Sequence, residues 1–507
     1  MTAGRRLLLP ALLLAAAVAA LAWFSGPPEF DFLDGTEFAV CAGSASVPHP
    51  PGYPLFTFLL RTASVVLPSE RPNYGALRIV TVLLAAAGTV TGVFVLSDLG
   101  AGVFAALAGS LLFFTLGGVM DQTNLLEVHA LSILLVLAAI RMRRGRGAPY
   151  MFSLSLFGGH PVSILLAPVV LGRRFLGRWL VLAAIPAGLW LFVPVRSTFQ
   201  ALCHYSRPST SFVLWKYFTL YGGKFTSLSA RAADALLASV GPVSLAVLLV
   251  FVVLSGRIRW RLLASALAGF VFLSFYYMGD TNSLLWVPLL PLVLWAAEGI
   301  GRLASRGLPA AVLAGTLVAA SAASGTATAW RAEDESASLL SRDMVRGVGF
   351  EGVYVTIGFL TFNTAYLLDV ADLRPDILPM DEYECYFRIP PPPWYPAEVA
   401  GRPLYTNRGW DQEALSPHGL LFSADTGAVD WSRYDVFSLE GPVHDGYTAE
   451  EIREAWLRRL AQTTDPEEFR GCLEAALEWW DLDLLCERID RLHSRGFCRL
   501  SSRDVSG

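Results

Sequence analysis

Two carboxylates and a proline-locked histidine are the densest group of residues able to move protons. They lie in Phe32-Leu-Asp34-Gly-Thr-Glu37-Phe38, followed by Val47-Pro-His49-Pro-Pro-Gly-Tyr53-Pro54. Asp34 and Glu37 are three apart, so on a helix they share a face. Asp34 at an N-cap with Glu37 in the first turn would cap a short helix reaching Val47. The same pair can take a proton from a hydroxyl and orient the group that does so. The residues alone leave capping and catalysis equally open. Prolines around His49 deny helix to this stretch and present His49 and Tyr53 to one side.

The elements that must hold this group are membrane helices. The chain has 507 residues, 54% hydrophobic and 16% charged, with a mean hydropathy of +0.48. A soluble domain carries about 25% charged residues, so one soluble enzyme is excluded. Residues 1–325 hold 22 Lys/Arg against 11 Asp/Glu, and residues 326–507 hold 17 against 32. A membrane domain therefore precedes an acidic soluble part, and the acidic part argues against nucleic acid. Apolar runs predict eleven spans: Leu7–Phe24, Ala76–Leu96, Ala101–Leu116, Leu125–Ile140, Tyr150–Phe157, Val162–Leu171, Trp179–Val195, Ala235–Leu254, Leu262–Met278, Leu284–Gly299 and Leu308–Ala323. The first is a span rather than a cleaved leader, because so many more follow. The dense arginine clusters (Arg5/Arg6, Arg141–Arg146, Arg173–Arg178, Arg257–Arg261, Arg302/Arg306) all fall inside only if Tyr53–Leu67 lies in the interface. The N-terminus is then cytoplasmic and the acidic part extracytoplasmic. Asp34, Glu37, Asp121, Glu127 and Asp280 then gather at the external face, where carboxylates in apolar surroundings point to a wet polar site.

With these residues in place, the first loop resembles that of one branch of the GT-C polytopic glycosyltransferases. The branch is a bacterial domain of unknown function related to a eukaryotic transmembrane protein O-mannosyltransferase. Further stretches are similar in the same order: Leu126-Glu127-Val128-His129-Ala130-Leu131, Gly158-Gly159-His160, Val193-Pro-Val-Arg196, Tyr276-Tyr277-Met-Gly-Asp280, Arg374-Pro-Asp376 and Pro417-His418-Gly-Leu420. The resemblance implies inverting transfer of a sugar, with mannose as the family's example, from a polyprenyl-phosphate carrier to an acceptor hydroxyl on protein or glycan. Asp34 would be the base, and Glu37 would orient it or hold the acceptor. Arg196 would hold the departing phosphate, helped by His49, Tyr53, Arg61, His160 and Lys224. Asp121, Glu127, His129, Tyr277 and Asp280 would line the cavity. Two departures, His129 for tyrosine and Gly159 for asparagine, bear on which donor is used.

The soluble part reads as an α/β domain over 326–445 and a helical tail over 446–507. Strands are expected at Gly352–Ile357 and from Arg374, and helices at Thr361–Val370, Thr448–Ala461, Pro466–Trp480 and Leu482–Leu492. No phosphate-binding loop or nucleophile elbow is present, so acceptor binding or capping of the cavity is expected there. Cys385, Cys472, Cys486 and Cys498 can pair in an oxidising compartment. No zinc spacing is present, no cofactor is required, and the residues leave a divalent metal open. The competing classes are a lipid-linked sugar flippase or transporter and a non-catalytic membrane scaffold. Against the first, no two-fold hydropathy repeat is visible.

Overall fold

The computed structural model describes residues 3–30, 34–44, 48, 53–67, 73–143, 145, 147–170, 231–275, 281–356, 360–381, 402–407, 416–423, 429–438 and 446–463, with a few positions beyond. The chain forms two compact units. One is Met1–Pro28 with Cys41–Ala332, and the other is Glu29–Val40 with Glu333–Gly507.

The first unit is helical. Among the described residues, four of its helices are long and apolar enough to cross a membrane: Arg6–Ser25, Tyr74–Asp98, Trp286–Ala304 and Leu308–Thr328. A fifth is obtained if Val103–Thr115 and Gly117–Asn124, bent by 71°, count as one. The break lies at Leu116, whose backbone is extended at ψ 130°. A Cβ on Gly117 would stand 1.9 Å from the Ser239 carbonyl oxygen, so only glycine lets the two backbones meet there. Other expected spans are shorter in the structure. Leu125–Ile140 gives the 13-residue helix His129–Arg141. Tyr150–Phe157 and Val162–Leu171 become the helix Gly147–Phe157, then a 3₁₀ turn Pro161–Leu166 running into Ala167–Val170. Trp179–Val195 lies outside the described residues.

The first helix, Ala3–Ser25, shows how patterning fixes packing. Ala11, Ala15, Val18 and Ala22, spaced by three or four, are buried, while Leu8, Leu9, Leu12 and Leu13 are exposed. Small residues allow close approach to the helix Ile79–Asp98, and the leucines form an outward apolar face of the kind lipid covers.

The second unit contains a five-stranded sheet in the order β2-β1-β3-β5-β4. These are β1 Val353–Thr356, β2 Leu378–Asp381, β3 Leu404–Thr406, β4 Ser416–His418 and β5 Leu421–Ser423. The Val-Tyr-Val-Thr run of β1 is buried at every position and pairs in parallel with β2 and β3, as a central strand of β-branched and aromatic residues should. The parallel β1–β2 crossover carries the helix Leu360–Ala365 and a π-helical turn, Tyr366–Val370. The second strand starts four residues later than Arg374, because Arg374 and Asp376 pair at 2.7 Å in the turn before it. That guanidinium also holds the Asp376 carboxyl well below the usual range. The helices Ser336–Gly347 and Gly446–Gln462 and the 3₁₀ turns Trp431–Arg433 and Asp435–Ser438 also belong to this unit. The tail beyond 473 and the four tail cysteines lie outside the described residues.

Candidate functional site

Asp34 opens the helix Asp34–Ser44 and Glu37 lies one turn on. Asp34 is half-buried and Glu37 only 2% exposed. Thr36, between them, donates its hydroxyl to Asn363 Oδ1 at 2.7 Å, and Asn363 Nδ2 donates to Ser341 Oγ at 3.0 Å. Val40 packs on Ala365, Phe30 meets Tyr366 edge-on at 5.2 Å, and Glu29 pairs with Arg342 at 2.7 Å. All of these residues belong to the second unit. At the far end of the helix, Arg61 Nη1 donates to the carbonyls of Ala42 and Gly43 at 2.7 and 2.6 Å. A cation there completes the carbonyls of the last turn and matches the negative helix end. Arg61, expected on the lipid phosphate, thus holds the end of the carboxylate-bearing helix.

A second polar group is buried within the first unit. Tyr53, in the left-handed region at φ 39°, precedes the helix Pro54–Val66 and stacks on His160 with ring centroids 5.9 Å apart. His160 lies 4.9 Å from the His129 ring. Trp286 Nε1–H donates to His129 Nδ1 at 3.2 Å, and the Val162 N–H donates to His160 Nδ1 at 3.1 Å. With Nδ1 accepting in both rings, each imidazole is neutral and carries its proton on Nε2. The His160 N–H is taken by Ser132 Oγ at 2.8 Å, and Ser163 Oγ returns to the His160 carbonyl at 2.9 Å.

Asp121 belongs to a third arrangement. It pairs with Arg331 at 3.1 Å, and the Arg331 N–H reaches the Ser25 carbonyl at 2.6 Å. Asn124 Nδ2 donates to Ser25 Oγ at 3.1 Å and to the Ala329 carbonyl at 2.8 Å. Arg78 donates to the Trp23 and Pro27 carbonyls. These bonds tie the ends of four helices of the first unit, giving Asp121 a structural partner where a cavity position was expected. Glu127 is buried, next to Leu126, whose N–H meets the Tyr74 hydroxyl at 3.3 Å.

The structure therefore brings Tyr53, His129 and His160 together and sets Asp34 and Glu37 on one turn. His49, Arg196, Lys224, Tyr277 and Asp280 lie outside the described residues. Sequence reasoning passed over Trp286, Ser132, Thr36 and Asn363. Trp286 opens an apolar run and looks like core, whereas a lone asparagine in the stretch Thr361–Val370 was a usable signal. Among the described residues no group of three or more His, Cys, Asp or Glu is placed to hold a metal ion.

Residues 34–140 match the family model described as the protein O-mannosyl-transferase TMEM260 N-terminal domain. This stretch is related to O-mannosyltransferase-like proteins. It opens on Asp34 and takes in Glu37, His49, Tyr53, Arg61, Asp121, Glu127 and His129. It covers about a fifth of the chain.

Proposed function

We propose that this protein is an inverting glycosyltransferase that moves a sugar, mannose first among candidates, from a polyprenyl-phosphate carrier to a protein hydroxyl outside the cytoplasm. The observation that carries the reading is the O-mannosyl-transferase match, which contains both loop carboxylates. Asp34 takes the proton of the acceptor hydroxyl as its oxygen attacks the anomeric carbon from the face opposite the carrier. The bond from that carbon to the phosphate oxygen breaks, and the carrier phosphate leaves with the electron pair. Glu37 orients the base or the acceptor. Arg196 stabilises the departing phosphate as its charge grows, with Lys224, His49, Tyr53 and His160 as helpers. Eleven spans, with the acidic part extracytoplasmic, set the site at the external face.

The test uses the full-length protein in detergent, mannosyl-polyprenyl-phosphate and serine- or threonine-containing peptides. Sugar transfer is expected in wild type. Asp34→Asn keeps size and hydrogen bonding but cannot take the proton, so turnover should fall roughly 10²–10⁴-fold with donor binding little changed. Arg196→Ala should weaken donor binding as well as rate, because its charge acts on ground and transition states alike. Full turnover by Asp34→Asn would remove the base from this position and make Glu37 next in line. Carrier movement across liposomes without sugar transfer would replace the reading with a flippase.

A further inference from the structure

The proposed base is carried by a stretch that folds with the second unit. Glu29–Val40 separates from its flanking membrane sequence and clusters with Glu333–Gly507. Its contacts there include Glu29 on Arg342, Phe30 on Tyr366, Thr36 on Asn363 and Val40 on Ala365. Thr36 and Val40 are i, i+4 and so line one face of the helix. At about 100° per residue, Glu37 lies roughly 80° and Asp34 roughly 140° round the helix from that face. The contacts on Asn363 and Ala365 thus fix the rotation of the helix about its axis, and with it the direction in which both carboxylates point. The Thr36–Asn363–Ser341 chain is the directional member of the set. All three side chains are buried, and hydrogen bonds weaken steeply when bent, so the chain favours a narrow range of helix rotations.

We infer that Thr36 and Asn363 are positioning residues: through them the second unit sets the aim of Asp34, so this unit is part of the catalytic machinery rather than only an acceptor-binding or capping module. The inference rests on Asp34 being the base. A base displaced by about 1 Å can lose some 10²-fold in rate while substrate affinity stays the same.

The experiment is a double-mutant cycle in the full-length protein, read by turnover, donor KM and hydrogen exchange. Thr36→Val is isosteric but lacks the hydroxyl. It should lower kcat roughly 10–100-fold with donor KM within about two-fold. Thr36→Ser should restore most of the rate. In the Asp34→Asn background, Thr36→Val should cost nothing further, because a base that is already absent cannot be misaimed. Amides 34–40 should exchange faster in Thr36→Val while those of β1 are unchanged. Ser341→Ala leaves residues 34–40 intact and should give the same pattern at smaller amplitude, serving if Thr36→Val does not fold. Wild-type turnover by these variants while Asp34→Asn is inactive, or losses that multiply across the cycle, would overturn the inference. Full turnover by Asp34→Asn would instead refute the reaction scheme, and the exchange pattern at 34–40 would then decide the anchor alone.

Discussion

At residue scale, Gly159 governs how His160 is held. A Cβ there would stand 2.5 Å from Ser132 Oγ and 2.9 Å from the Ser155 carbonyl oxygen. The serine hydroxyl that receives the His160 N–H has room because residue 159 carries no side chain. The asparagine expected from the resemblance would not fit beside Ser132. Overpacking of this kind costs about 1–3 kcal/mol. Gly159→Ala should therefore lower the unfolding temperature of the purified protein and weaken donor binding through a displaced His160. Adding Ser132→Gly, which removes the obstructing hydroxyl, should recover part of the stability but not the hydrogen bond. Unchanged unfolding and binding in Gly159→Ala would show that this region relaxes freely. His129 makes a parallel case, since the ring nitrogen that accepts from Trp286 is what tyrosine at that position would lack.

At the scale of elements, the helix Ser336–Gly347 docks through a buried acid. Asp343 is fully buried, accepts the Val436 N–H at 2.7 Å and faces Arg346 at 3.3 Å. Burial, reinforced by the neighbouring Asp435 carboxylate, raises its pKa from 3.8 to about 6 against the pull of the hydrogen bond and of Arg346. The folded state thus binds the proton more tightly than the unfolded chain does. The stabilisation it brings is full below about pH 4 and is lost as pH rises through about 6. Asp343→Asn keeps an acceptor for the Val436 N–H and removes the titration. Thermal unfolding between pH 4 and 7 should fall less steeply with rising pH in this variant than in wild type. Parallel curves would mean that Asp343 is ionised in both states. The same helix supplies Ser341 and Arg342, so its docking also bears on the stretch that carries Asp34.

For the whole molecule, charge distribution predicts sidedness. On the proposed orientation the arginine clusters face the cytoplasm, as the positive-inside rule requires, and residues 326–507 lie on the opposite side. Ser438 is exposed in the second unit. A cysteine at Ser438 should react with an impermeant maleimide in intact cells, or in spheroplasts if an outer membrane intervenes, above the background of the unsubstituted protein. Labelling only after lysis would reverse the orientation and put Asp34 on the cytoplasmic side, away from an extracytoplasmic acceptor.

Sequence by itself determined what is local or additive. Long apolar runs such as Tyr74–Asp98 declare themselves through hydropathy, β1 through its β-branched run, and the Asp34–Glu37 pair through helical spacing. Tertiary structure decided what depends on partners remote in sequence. Arg61 reads as a candidate phosphate ligand until two carbonyls 18 and 19 residues away claim it. Asp121 looks like a cavity acid until Arg331, 210 residues on, pairs with it. The Thr36–Asn363 bond spans 327 positions and joins the carboxylate stretch to the second unit. Periodicity records which face of an element is buried, but the hydrogen-bond partner of a buried polar group is fixed only when distant segments pack, because its desolvation must be met by whichever donor or acceptor the fold brings alongside.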